Sequence, residues 1–286
     1  MISDDEKEET MVKRLIADSC ADLTPEKKAW TDVRLVPLTL TVGKEEILDD
    51  ENFCQRSFLD KMRMSEECPR SACPSPERYM REFEGADEIF VVTLSRHLSG
   101  SYQSAVLAKQ LYQEEHPEVR IEVVDSQSAS VGESLLILKL RSLIDTMSFE
   151  EIVKKITAYR DSLRTKFVLE NLDVFIKNGR LNHMQALLCN ALNIKPLLAG
   201  DKGQIVKLDQ ARGVERTLKK LVESVAADVK EATTRTLAIA HCNHPARAEA
   251  VRQMILSRVP FRECMIVNTG GLSTMYANEG GIIVAY

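Results

Sequence analysis

The order strand, helix, strand, helix restricts this chain more than any other feature. "KRLIADS" (13–19) reads as a short strand, "EIFVVTLS" (88–95) as a buried strand and "RIEVVDS" (120–126) as another. A helical segment runs from about Ser101 to Gln113 between the last two, and "ESLLILKLRSLIDTM" follows with helical spacing. This order implies right-handed crossovers and a parallel sheet. In such sheets ligands bind outside the carboxyl ends of the strands. Those ends here read "DSCADL", "TLSRHLSG" and "DSQSAS", all rich in serine, threonine and aspartate.

At 286 residues the chain suits two domains. "SFEEIVKKITAYRDSL" (148–163) has Ser148 as N-cap and Glu151 three residues on, a capping box, and reads as the bridge to a second unit. Beyond it come a strand at "KFVLEN", a helix at "LNHMQALLCNAL" and a hairpin at "IKPLLAGDKGQIVKL", with Asp-Lys-Gly as its turn. An amphipathic helix at "GVERTLKKLVESVAADV" and strands at "RTLAIAHC", "ECMIVNT" and "GGIIVAY" complete it. Toward the N-terminus, "VRLVPLTLTVG" reads as one strand, and residues 45–83, broken by prolines, as short helices and a loop. The expectation is an α/β protein of two α/β domains. The first, residues 1–163, has a mainly parallel sheet flanked by helices; the second, residues 164–286, has a mixed sheet and helices.

A formal net charge of -5 speaks against a broad nucleic-acid footprint. No apolar run is long enough to span a bilayer, and the start "MISDDEKEET" is acidic and polar where a signal peptide needs a basic, then apolar, stretch. Seven scattered cysteines, an odd count, fit reduced thiols in the cytosol. Metal binding finds little support. Cys68 and Cys73 lack a second pair, and "HCNH" (241–244) reads first as a strand end with two polar imidazoles.

Three segments carry candidate chemistry. In "LSGSYQSA" a helix opens with Ser99 and Ser101 as hydroxyl donors, and Gly100 leaves the backbone open to an anion. The plain alternative is that Ser99 is only an N-cap. A nucleophilic Ser99 would need a base, and His97, two residues away in a turn, is poorly placed to be one. In "PRSACPSPERY" (69–79), Ser71, Cys73 and Ser75 sit on a proline-stiffened backbone that faces a ligand or simply the surface. In "ENLDVFIKNGRLN" (170–182), Asn178-Gly179 is a turn pair followed by Arg180, whose guanidinium suits a carboxylate or phosphate.

Together with "ADSCADL", "VVDSQSASVGE", "LNIKPLLAGDKGQI" and "YANEGGIIVAY", these segments resemble the DegV family of fatty-acid-binding proteins, from Arg14 to Tyr286. The resemblance implies a non-enzymatic, cytoplasmic lipid carrier with no cofactor and no metal. It would hold a long-chain fatty acid with its tail in an apolar tunnel and present the carboxylate to a fatty acid kinase, with transient membrane contact. Ser71, Ser99 and Gly100 match the carboxylate-binding positions; Arg180, Tyr276 and His97 fall to head-group or partner contacts. The chain departs from the family at Ala72-Cys73, where Ser-Gln is common, and at "YANEGG", where Tyr276 stands near a frequent histidine. From the residues alone, a serine-dependent acyl hydrolase or transferase and a small-anion or sugar-phosphate sensor stay open.

Overall fold

The computed structural model describes residues 11–28, 30, 32–181 and 193–286. Along the chain come β1 (Lys13–Asp18), α1 (Pro25–Lys28), β2 (Val33–Val36), β3 (Thr39–Val42), β4 (Glu45–Leu48), α2 (Gln55–Met64), β5 (Arg70–Ala72) and α3 (Pro76–Phe83). Then follow β6 (Glu88–Thr93), α4 (Ser101–Glu115), β7 (Arg120–Asp125), α5 (Val131–Arg141), α6 (Phe149–Ser162), β8 (Thr165–Val168) and α7 (Asp173–Lys177). The remainder is β9 (Ile194–Asp201), β10 (Gln204–Arg212), α8 (Val214–Asp228), β11 (Thr236–His241), α9 (Pro245–Leu256), β12 (Glu263–Asn268), α10 (Gly271–Ala277) and β13 (Ile282–Ala285).

The first domain is built on the parallel sheet β2-β1-β6-β7. Strand β6 is buried along its whole length, as a strand covered on both faces must be. Ile89 and Val91 pack under α3 and α4 with Tyr79, Phe83 and Ala105. Phe90 and Val92 point the other way, onto Leu136 and Leu140 of α5, because successive side chains alternate across a strand. The second domain carries the mixed sheet β10-β9-β8-β13-β11-β12, in which only β11 and β12 pair in parallel. Ala238, Ala240 and Ala285 of that sheet meet the same α5 from the opposite side. One nearly all-apolar helix thus lies between two sheets, which explains why "SLLILKL" shows no polar face.

The expected capping box forms: the Ser148 hydroxyl accepts from the Glu151 N–H, and the Glu151 carboxylate accepts from the Ser148 N–H. The hairpin turns at Lys202-Gly203, both at positive φ, as a two-residue turn demands. Two readings need correction. "VRLVPLTLTVG" is not one strand: it breaks at Pro37, so β2 joins the large sheet while β3 pairs with β4 and β5 in a small antiparallel sheet. Helix α10 was not expected, and the reading of 45–83 missed the short strands β4 and β5. The helix read at "LNHMQALLCNAL" lies almost wholly outside the described residues.

The hairpin tip docks on the first domain. The Ser95 hydroxyl donates to the Gly203 carbonyl at 2.7 Å. A Cβ on Gly203 would stand 2.5 Å from Ser95 Oγ, at a φ of +85°. Gly203→Val should therefore cost about 2–4 kcal/mol. A urea midpoint unchanged from wild type would refute this contact.

Candidate functional site

The three candidate segments converge at the carboxyl end of the parallel sheet, although they lie far apart in sequence. The Asn178 side-chain amide donates to the Pro69 carbonyl at 2.9 Å. Arg180 Nε donates to the Leu98 carbonyl at 3.2 Å, and its Nη1 to the Asn178 carbonyl at 2.6 Å. The Asn-Gly-Arg turn therefore ties the proline segment to the loop before α4; Gly179, at φ +71°, supplies the turn. Ser71 is fixed on β5 opposite Leu40. The Tyr276 phenol lies beside Ser71, Asn178 and Arg180, with its ring 4.6 Å from that of Phe175. Burial raises the Tyr276 pKa against the opposing pull of those neighbours, so at neutral pH it is a hydrogen-bond donor.

These groups open onto a cavity between the two domains. Ser71, Ser99, Arg180 and Tyr276 line it, together with Leu38, Leu94, Leu98, Phe167, Leu169, Phe175, Leu272 and Ile283. Its wall is mostly apolar with a few polar groups, the make-up usual for ligand sites. Gly100 and His97 do not line this cavity. They line an open depression outside it, with Arg96, which shares Leu98, Ser99 and Arg180 with the cavity. A Cβ on Gly100 would come within 3.2 Å of Cys73 Sγ, so the proline segment approaches the helix start closely.

The helix start differs from the sequence reading in two respects. Gly100, not Ser99, is the N-cap of α4, and Ser99 Oγ accepts the Ser101 N–H at 3.2 Å. Ser101 does not face a ligand. It is buried, donates to Asp18 Oδ2 at 2.5 Å and lies 2.7 Å from the Tyr79 hydroxyl. No histidine hydrogen-bonds Ser99 among the described residues; the exposed His97 donates its N–H to Ser95 Oγ. A nucleophile–base pair is therefore not assembled there. "HCNH" keeps its plain reading: the His244 N–H donates to His241 Nδ1, and His244 Nδ1 accepts from Arg247 at the start of α9.

Sequence reasoning assigned no role to a set of buried carboxyls behind the site. Asp49 Oδ1 accepts the Gly271 N–H at 2.6 Å and its Oδ2 the Leu272 N–H at 2.9 Å. Asp22 accepts the Gly270 N–H at 2.6 Å and the Ser130 hydroxyl at 2.5 Å. Two first-domain aspartates thus hold the start of α10, the helix that carries Tyr276. Asp22, in "ADSCADL", was the only signal, and it reads equally well as part of a turn; nothing around Asp49 pointed to this role.

Burial dominates the electrostatics. It raises Asp18 and Asp22 from 3.8 to about 6 and Glu133 well above its usual range. Between those limits the folded chain holds more protons than the unfolded one, so stability falls as pH rises, by about 1.4 kcal/mol per pH unit for each aspartate. The urea midpoint is expected to drop between about pH 5 and 6.5, less steeply in Asp22→Asn. A midpoint that rises across this range would contradict the assignment.

A family model described as "Uncharacterised protein, DegV family" matches residues 13–286. A DegV domain-containing protein of Streptococcus pneumoniae is 37% identical over 282 residues, spanning 96% of this chain and 99% of the relative. Among solved structures, a DegV family protein from Ruminococcus gnavus with vaccenic acid superposes with a TM-score of 0.93 at 45% identity, covering 96% of this chain and 100% of that one. The fatty acid kinase B3 protein of Streptococcus pneumoniae, loaded with linoleic acid, gives a TM-score of 0.90 at 34% identity, covering 96% and 99%.

Proposed function

We propose that this chain, which belongs to the DegV family, binds a long-chain fatty acid and presents its carboxylate to a partner kinase for acyl phosphate formation. The observation that carries the reading is the single cavity that joins Ser71, Ser99, Arg180 and Tyr276 to a long apolar wall. A fatty acid has one charged end and many methylenes. Each buried methylene contributes about 0.8 kcal/mol, so a C16 tail supplies roughly 10 kcal/mol before ordering costs. Two serine hydroxyls, a phenol and a guanidinium offset desolvation of the carboxylate.

In this reading residues 1–163 supply the serines and residues 164–286 the arginine and tyrosine. Gly100, His97 and Arg96 border the outer depression, where a partner could reach a carboxylate held at Ser99. The fatty acids bound by the Ruminococcus and Streptococcus proteins support the ligand class, and the latter's kinase name supports the partner. The chain acts as a carrier without chemistry of its own or a cofactor. It works in the cytoplasm and touches a membrane transiently to exchange lipid; no helix among the described residues is long and apolar enough to cross one. Organic extraction of protein purified from a bacterial host should release about one acyl chain per protein by mass spectrometry. Repeated preparations without lipid, and no uptake of added hexadecanoate, would refute the reading.

A further inference from the structure

The segment bearing Ser99 is pinned at both ends by one buried carboxylate. Asp18 Oδ2 accepts the Leu94 N–H at 3.0 Å and the Ser101 hydroxyl at 2.5 Å. Its Oδ1 accepts the Cys20 N–H at 3.1 Å. Leu94 lines the cavity before Ser99 in the chain, and Ser101 opens α4 just after it. We propose that Asp18 is a positioning residue for the fatty-acid head group, and that its charge, set by a proton shared with Glu133, makes the grip on lipid depend on pH. This rests on the lipid-binding reading and deepens it.

Glu133 faces Asp18 from α5, and the facing atoms of Asp18, Cys20 and Glu133 all lie within 4.8 Å of one another. The Glu133 side chain is fully buried, with the Cys20 thiol and the Asp18 carboxyl as its polar neighbours and no cation beside it among the described residues. An ionised carboxylate so placed would be costly, whereas a protonated one donates to Asp18. The other groups around Asp18 are the Cys20 thiol, the Tyr79 phenol acting through Ser101, and the Asp22 carboxyl near Cys20 and Glu133. No lysine, arginine or histidine among the described residues pairs with Asp18, Asp22 or Glu133. The pair therefore holds one proton and one charge, and only protons can change that balance. Asp18 lies at about 6, within reach of ordinary pH changes. Above that value it accepts Leu94 and Ser101 as charge-assisted bonds; below it the bonds weaken and Ser99 is less firmly held.

The test is the affinity of delipidated protein for hexadecanoate between about pH 7.5 and 5.5. The wild type should weaken about five- to tenfold toward acid, with a midpoint near 6. Asp18→Asn should be weak throughout and show only the ligand's own titration, which both proteins share. Ser101→Ala and Glu133→Leu each remove a hydrogen bond that lowers the Asp18 pKa, so each should move the midpoint to higher pH. A wild-type profile that superimposes on that of Asp18→Asn overturns the proposal. If Asp18→Asn fails to fold, an unmoved midpoint in Ser101→Ala overturns it instead. Wild-type protein that takes up no hexadecanoate at any pH would refute the lipid reading itself.

Discussion

Ala129→Phe should abolish tight binding of hexadecanoate while leaving the fold intact. Ala129 lines the cavity and is only partly buried, so its methyl group faces unfilled space. It packs among Leu38, Leu94, Leu98 and Leu272, a ring of side chains that a phenyl group can join. The new ring would occupy the path of roughly six methylenes, a loss of about 5 kcal/mol and a factor of 10³–10⁴ in affinity. An eight-carbon acid, which needs less of the cavity, should lose far less. Titration calorimetry with both acids checks this, with thermal unfolding as the control for fold. Equal losses for the two chains would mean that the tail does not run past Ala129.

Arg180→Ala should weaken binding of the acid by about 10- to 100-fold, the worth of a hydrogen bond to a charged group at about 1.5–3 kcal/mol. Arg180 also braces the Leu98 carbonyl, so part of any loss is structural. Hexadecanol separates the two effects. It has the tail without the charge, and its affinity should fall much less than that of the acid. Arg180→Lys should recover only part of the loss, because an ammonium cannot bridge the Leu98 and Asn178 carbonyls as the guanidinium does. Matching losses for alcohol and acid would assign Arg180 to the scaffold alone.

The sheets were legible where local patterning is strong. The buried run Ile89–Val92, the Ser148–Glu151 capping box and the Lys202-Gly203 turn each specify their own element. Legibility failed where distant residues decide. Helix α10 is seven residues long and begins with glycines; its first N–H groups are held by Asp22 and Asp49, more than two hundred positions away. Nothing near 270 announces that help. Ser101 looked like a ligand donor because its neighbours are hydroxyls, yet a buried carboxylate behind it turns it inward. Pro37 ends β2 and lets β3 leave for another sheet, and that sheet is what fixes Ser71 opposite Leu40. The candidate head-group residues came from a family resemblance together with polar types at strand ends. That Ser71, Ser99, Arg180 and Tyr276 share one cavity could not be read from any segment alone. The tail-lining residues were unreadable for a simpler reason: Phe167, Leu272 and Ile283 have the same composition whether they bound a hollow or fill a core.

The most direct measurement is a crystal structure of the delipidated protein reloaded with ω-bromohexadecanoic acid. The carboxylate should lie against Ser71 and Ser99, and the bromine anomalous signal should fall inside the cavity, walled by apolar side chains. A bromine at the surface depression beside His97, with the carboxylate inside or absent, would contradict the account.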